Sequence, residues 1–148
     1  MGTANSVAAC LINLSYEKER PVSNLKLQKL LYYSQAWHLA FFNEPLFNDE
    51  IEAWVHGPVV PEVFRTYRDN RWACIPKVEG AVMPGNIRGH LEEVWRVYGN
   101  LDAYNLERLT HSEEPWLKAR GGIAPDVSSH AVIMKEWMRE YYSARLNG

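Results

Sequence analysis

The chain has 148 residues, 47% of them hydrophobic and six of them tryptophan, with a formal net charge of −2. That composition excludes a disordered chain and supplies mass for one real core. The near-neutral charge gives no global attraction to nucleic acid or anionic membrane. Cys10 and Cys74 show neither metal spacing nor a disulfide framework, which suits a reducing compartment. The apolar run Val7–Leu14 is short and has no basic leader, and no run reaches membrane-spanning length. A cytoplasmic protein without membrane contact is expected.

Ala4 to about Tyr16 predicts a first helix, with Val7, Cys10, Leu11 and Leu14 on one face. A polar stretch, Tyr16–Arg20, leads into Pro21. The run Leu25–Phe42, LKLQKLLYYSQAWHLAFF, contains no Gly or Pro. Leu27, Leu30, Leu31 and Phe41 or Phe42 keep helical spacing, while Tyr32, Tyr33, Trp37 and Leu39 load the other sides. A helix apolar on several faces must be covered around most of its circumference, so this run is predicted to be the central helix. Ser23 or Asn24 stands at the N-cap. Asn43, which tolerates the left-handed conformation, and Pro45 stop the helix.

Pro45–Phe47 and Ile51–Val55, separated by the turn residues Asn48–Asp49, predict a small hairpin. Ile51, Ala53 and Val55 alternate with Glu52 and Trp54, and His56–Gly57–Pro58 breaks the second strand. Pro61 opens a helix to Arg68 carrying Val63, Phe64 and Tyr67. Ile75–Gly85, with Gly80, Pro84 and Gly85, reads as a mobile surface loop. Helices follow over Ile87–Tyr98, capped by Gly99, and over Leu101–Leu109. A short turn over Pro115–Ala119 is closed by Gly121–Gly122. A last helix runs from a cap at Asp126 or Ser128 to about Arg145, with Ile133, Met134, Trp137 and Tyr141 inward. The expected fold is mainly α: one compact helical domain over residues 1–148 around a buried central helix, with one small β-hairpin.

No metal, nucleophile or phosphate-binding pattern emerges. The five histidines never pair at helical metal spacing, and His90 with Glu93 reads as a stray histidine on a surface helix. His111–Ser112–Glu113 matches half of the zinc-deaminase signature, but the P-C-x-x-C half is absent. Cys74, beside Trp72 and Ile75, reads as a buried structural thiol. Glu92–Glu93 and Glu113–Glu114 are adjacent, and adjacent helical residues diverge. Arg65, Arg68 and Arg71, and separately Lys26 and Lys29, form basic ridges that read as solvated faces in an acidic domain.

Three segments pair aromatic with polar residues at element boundaries: Lys26–Tyr33, Ala53–Pro61 and Thr110–Trp116. Read from chemistry alone they are core packing and capping. His56 and His111 would bond loop main chain or neighbouring side chains, and Trp54 and Trp116 would fill the core. In this order and at these separations, KLQKLLYYSQAWHLA, PLFNDEIEAWVHGPVVPEVF and LTHSEEPW resemble the Panacea domain of SocA-like antitoxins. The resemblance spans roughly residues 5 to 142. Asn43 stands where that family often has glycine, and it fills the same left-handed role.

The resemblance implies a helical antitoxin that binds a cognate protein toxin, with a cytoplasmic protease as further partner in the founding type. It implies no catalytic residue, metal or cofactor. The residues it singles out as structural or partner-binding are Lys26, Leu27, Gln28, Lys29, Leu30, Tyr32, Tyr33, Trp54, His56, Gly57, Pro58, Thr110, His111, Pro115 and Trp116. Two other readings compete. A nucleic-acid-binding regulator would use Arg65–Arg71 and show steep salt dependence. An enzyme would need a site between His56 and His111.

Overall fold

The computed structural model describes residues 2–146. Its axis is α2, Asn24–Phe42, in which every residue from Lys26 to Ala36 is buried. Three turns of helix with no open face can exist only where neighbours close every side. Here α1 (Ala4–Glu17), α4 (Gly85–Tyr98), α5 (Ala103–His111), α7 (Lys135–Leu146) and a small sheet do so. Ser23 is the N-cap, its Oγ accepting from the Lys26 amide at 3.3 Å. Asn43 ends the helix in the left-handed conformation, φ 55°. Leu27, Leu30 and Leu31 are in the core.

The sheet differs from the expected hairpin. Strand β1, Ile51–Trp54, pairs antiparallel with β2, Gly57–Val59, on one side and with β3, Val132–Ile133, on the other. Pro45–Phe47 is not a strand. Phe47 makes one isolated bridge to Gly2, and Asp49 instead accepts from the Ala4 amide at 2.9 Å, serving the start of α1. Val55–His56 forms the turn, and Gly57–Pro58 begins a strand where the sequence reading ended one. Gly57 adopts φ 110°, which lets the chain reverse after Trp54. β2 lies at the edge of the sheet, where Pro58 can be tolerated without a ladder donor.

The last helix is shorter than expected. Residues 126–134 are not helical, and α7 starts at Lys135. Pairing of Val132–Ile133 with β1 overrides local helix propensity. Ile133 is buried through the strand, Met134 is exposed, and α7 turns Met138 and Tyr142 fully inward. The helix α3 is confined to Pro61–Thr66, followed by a tight turn at Arg68–Asn70. Gly99 follows α4 in the right-handed conformation, φ −63°. Glycine is needed there because a Cβ would overlap the Trp95 ring.

Residues 71–84 form a strap along the outside of α1. It is fastened at Ile75, whose carbonyl accepts from Tyr16 Oη at 2.7 Å, and at Val78. Asn13 donates to the Val78 carbonyl and accepts from its amide, both at 2.8 Å. The Cys10 thiol reaches the Val82 carbonyl at 3.4 Å. The segment expected to be a mobile loop is therefore tied to helix α1 along its length. Cys74 is exposed and so is Trp72, which corrects the reading of a buried thiol. No helix among the described residues is long and apolar enough to cross a membrane.

Candidate functional site

The three motif segments meet around the first half of α2. Gln28 joins two of them: its Oε1 accepts from the Val60 amide at 2.8 Å and its Nε2 donates to Asn24 Oδ1 at 2.9 Å. Asn24 in turn donates to the Phe64 carbonyl at 3.1 Å. One amide thus fixes the passage from β2 into α3. Lys26 donates to the Gly99 carbonyl at 2.6 Å and lies over the Trp95 ring. Burial lowers its amine to about 8.

Lys29 is 1% exposed. It ends beneath Gly57, where an added Cβ would come within 2.9 Å of Lys29 Cε and 3.1 Å of Thr110 Oγ1. Its Nζ has no hydrogen-bond partner among the described residues, and burial lowers it to about 8 against the pull of Glu107. Lys26 and Lys29 are therefore not a solvated ridge. The helix that carries them is covered all round, so even its charged positions are buried.

The third motif grips the second. His111 stacks on Trp116 with ring centroids 3.9 Å apart. Trp116 Nε1 donates to the Trp54 carbonyl at 2.9 Å, and buried Arg120 donates to the Ala53 carbonyl at 3.0 Å. The guanidinium of Arg120 also covers the Trp116 ring. The main chain of β1 is thus held by side chains of α6, Glu114–Arg120. Pro115 is buried in the first turn of that helix, and Pro58 is buried in β2. Thr110 is buried and donates to the Glu107 carbonyl at 2.9 Å.

His111 faces the Val55 backbone, while its Nε2 has no partner among the described residues. Burial lowers its imidazole below the usual value. His56 is largely exposed and meets Glu107 at 3.1 Å. Trp54 does not fill the core. It is half-buried on the outer face of β1, against Phe64 and His130, and donates to Glu52 at 2.8 Å. The strand alternates as expected, but with Ile51 and Ala53 inward and Trp54 on the opposite face.

A second polar centre is built on Tyr32 and Tyr33. Glu113 Oε1 accepts from Tyr33 at 2.5 Å and from Tyr142 at 2.9 Å, and the Tyr142 hydroxyl lies 3.1 Å from that of Tyr32. Tyr33 stacks on Tyr98 at 3.9 Å, and Trp37 Nε1 donates to the Tyr98 hydroxyl at 2.7 Å. Burial raises the Glu113 carboxyl and pushes the Tyr98 phenol up to about 12. Sequence reasoning missed Glu113, Tyr142 and Gln35. Gln35 binds the main chain of Leu46 and Phe47. Buried adjacent tyrosines at 32 and 33 were the available signal that an acceptor must lie opposite.

His90 is buried, not a surface histidine, and its Nε2–H donates to the Ser34 carbonyl at 2.8 Å. Among the described residues no three His, Cys, Asp or Glu side chains gather where a metal ion could be held. Arg65, Arg68 and Arg71 are exposed, and Arg65 pairs with Glu62 at 2.6 Å.

Apart from Lys26, the three motif segments locked around α2 lie within the stretch that the family comparison matches. Residues 27–117 match the family described as antitoxin SocA-like, Panacea domain, and the chain belongs to that family. It is 31% identical over 127 residues to Antitoxin SocA of Caulobacter vibrioides (strain NA1000 / CB15N), covering 76% of this chain and 68% of that one. No solved structure matches it. The matched span runs from the first turn of α2 into α6. It therefore contains the Lys29, Gly57 and His111–Trp116 contacts, and leaves out α1 and α7.

Proposed function

We propose that this protein is a cytoplasmic antitoxin that neutralises a protein toxin by direct contact, without catalysis. Membership of the SocA-like family supports the antitoxin role. The observation that carries the contact mechanism is the strap. Its backbone is tied to α1 through Asn13, Tyr16 and Cys10, while Trp72, Lys77, Glu79 and Val82 point outward. Trp72 is 79% exposed and stands next to Arg71, with Arg68 nearby, and tryptophan and arginine are the residues that most often dominate interface energies. A rigid mount that presents its side chains outward is how loops carry recognition.

Val78 and Met83 pack against the core, so the test leaves them in place. Trp72, Lys77, Glu79 and Val82 are replaced together by serine, and the variant is co-expressed with the product of the neighbouring gene, tested as the toxin. Loss of growth rescue and of co-purification, with an unchanged melting temperature, is the expected result. Full rescue by the variant removes the strap from the interface. A wild type that binds no neighbouring product removes the antitoxin reading. A steeply salt-dependent DNA shift abolished by Arg68→Gln would support the nucleic-acid reading instead.

A further inference from the structure

The buried middle of α2 gives way to an open end. Phe41 and Phe42, its last two residues, are each 56% exposed. Phe41 lies 5.6 Å from Trp37, ring centre to ring centre. Together with Val94, Val97, Tyr98 and Leu146 these two rings line a groove of about 250 Å³ between α2, α4 and the end of α7. Val97 is 52% exposed and Leu146 41%. Large apolar side chains concentrated in one concavity mark an interaction surface far better than the same residues scattered singly.

The floor of the groove is fixed before anything binds. Trp37 donates to the Tyr98 hydroxyl, and Tyr98 is stacked on buried Tyr33. Side chains already held in one arrangement lose little freedom on binding, which favours affinity. The rim has a sign. Glu93 and Arg96 satisfy each other through two hydrogen bonds, at 2.9 and 3.1 Å. Arg145 lies over the Tyr141 ring and donates to the Tyr141 carbonyl at 3.0 Å, with no carboxylate in ion-pair range among the described residues. Arg145 thus forms no ion pair among the described residues, and although its charge also acts on half-buried Glu113, its guanidinium at the groove's edge can meet a carboxylate brought by a partner.

We propose that this groove docks an amphipathic segment of the toxin, which seats large apolar side chains between Phe41 and Val97 and places a carboxylate on Arg145. The proposal rests on the antitoxin reading and gives it a second contact, separate from the strap. Phe42 sits 4.7 Å from His38, which lines a larger pocket of about 750 Å³ whose far wall is Val82 and Pro84 of the strap.

The experiment measures binding of the co-purified neighbouring toxin to the full chain and to Val97→Asp, Phe41→Ser and Arg145→Glu. Leu117→Ser, an exposed apolar residue on α6, serves as control. Circular dichroism and melting confirm that each variant folds. Each groove variant is expected to bind at least about tenfold more weakly, and the control to match the wild type. Raising salt should weaken the wild type and leave Arg145→Gln nearly unchanged. Folded groove variants that bind as tightly as the wild type overturn the groove while the antitoxin reading stands. Self-association of the wild type, abolished by Val97→Asp, assigns the face to a second copy and overturns the proposal too. A wild type that binds no neighbouring product defeats both readings together.

Discussion

Replacing Lys29 with methionine is expected to stabilise the fold near neutral pH. The amine is buried under Gly57 beside Thr110, and burial moves it from its ordinary value of 10.5 to about 8. Keeping it protonated in the folded chain therefore costs roughly 3 kcal/mol. Methionine preserves the unbranched shape that fills the space below β2 and brings no charge into it. A gain of about 2–3 kcal/mol is expected, seen as a melting temperature higher by roughly 5–10 °C. The gain fades with rising pH. The folded amine gives up its proton before the unfolded one, so the unfolded chain binds more protons between about 8 and 10.5, and wild-type stability rises through that window. The variant lacks this rise, and the two stability curves converge at the alkaline end. Denaturant melts across that range are the assay. A variant less stable than wild type by more than about 1 kcal/mol, with no convergence at high pH, would show that the amine is well partnered and refute the reasoning.

Three further expectations can be checked by the same melts. Leu30→Ala should cost about 2–5 kcal/mol, because the fully buried side chain leaves a cavity inside α2's covered face, and a change within error would take Leu30 out of the core. Gly57→Ala should cost at least about 1–3 kcal/mol, since φ 110° and the Lys29 Cε contact both oppose a Cβ. Its combination with Lys29→Ala should recover the steric part of the loss, and strictly additive losses would exclude that contact. His90 is held neutral by burial with its imidazole below the usual 6.5, so the unfolded chain takes up its proton first and stability falls as pH drops below that value. His90→Gln retains a donor for Ser34 and should flatten that acid limb, and an unchanged limb would assign it to other groups.

Much of the frame was legible because it is local. The central helix, its Ser23 and Asn43 caps and the Pro61 helix start are set by residues within a turn of where they act. The sheet was not, because β3 is two residues long and lies about eighty positions along the chain from its partner, Glu52 pairing with Val132. A strand that short has no periodicity to read. Lys26, Lys29 and His90 were misplaced because polar residue types are usually exposed, and only the closing of every side of α2 reverses that. Trp54 was misplaced for the converse reason: its size argued for the core, while the two-residue alternation of β1 put it on the outer face with Glu52. The motif segments could be recognised as a set, but which atoms join them, such as Gln28 to Val60 or Trp116 to Trp54, depends on the folded geometry.

The strap is held by the buried side chain of Ile75, by Val78 and Met83 packed against the core, and by hydrogen bonds to its main chain. Asn13 binds the amide and carbonyl of Val78, Tyr16 binds the carbonyl of Ile75, and Cys10 reaches the carbonyl of Val82. Almost any amino acid offers those same main-chain groups, so the hydrogen bonds read no identity, and the side-chain demand falls on Ile75, Val78 and Met83. Substitutions at 77, 79 and 82 can then change the outward surface while leaving the fastening intact, within the small range usual for exposed positions. On the antitoxin reading, the residues that hold the strap and those proposed to face the toxin are then largely different residues. With the strap as the proposed toxin contact, a change of toxin is expected to need only substitutions at outward positions such as 77, 79 and 82, at little cost to the fold.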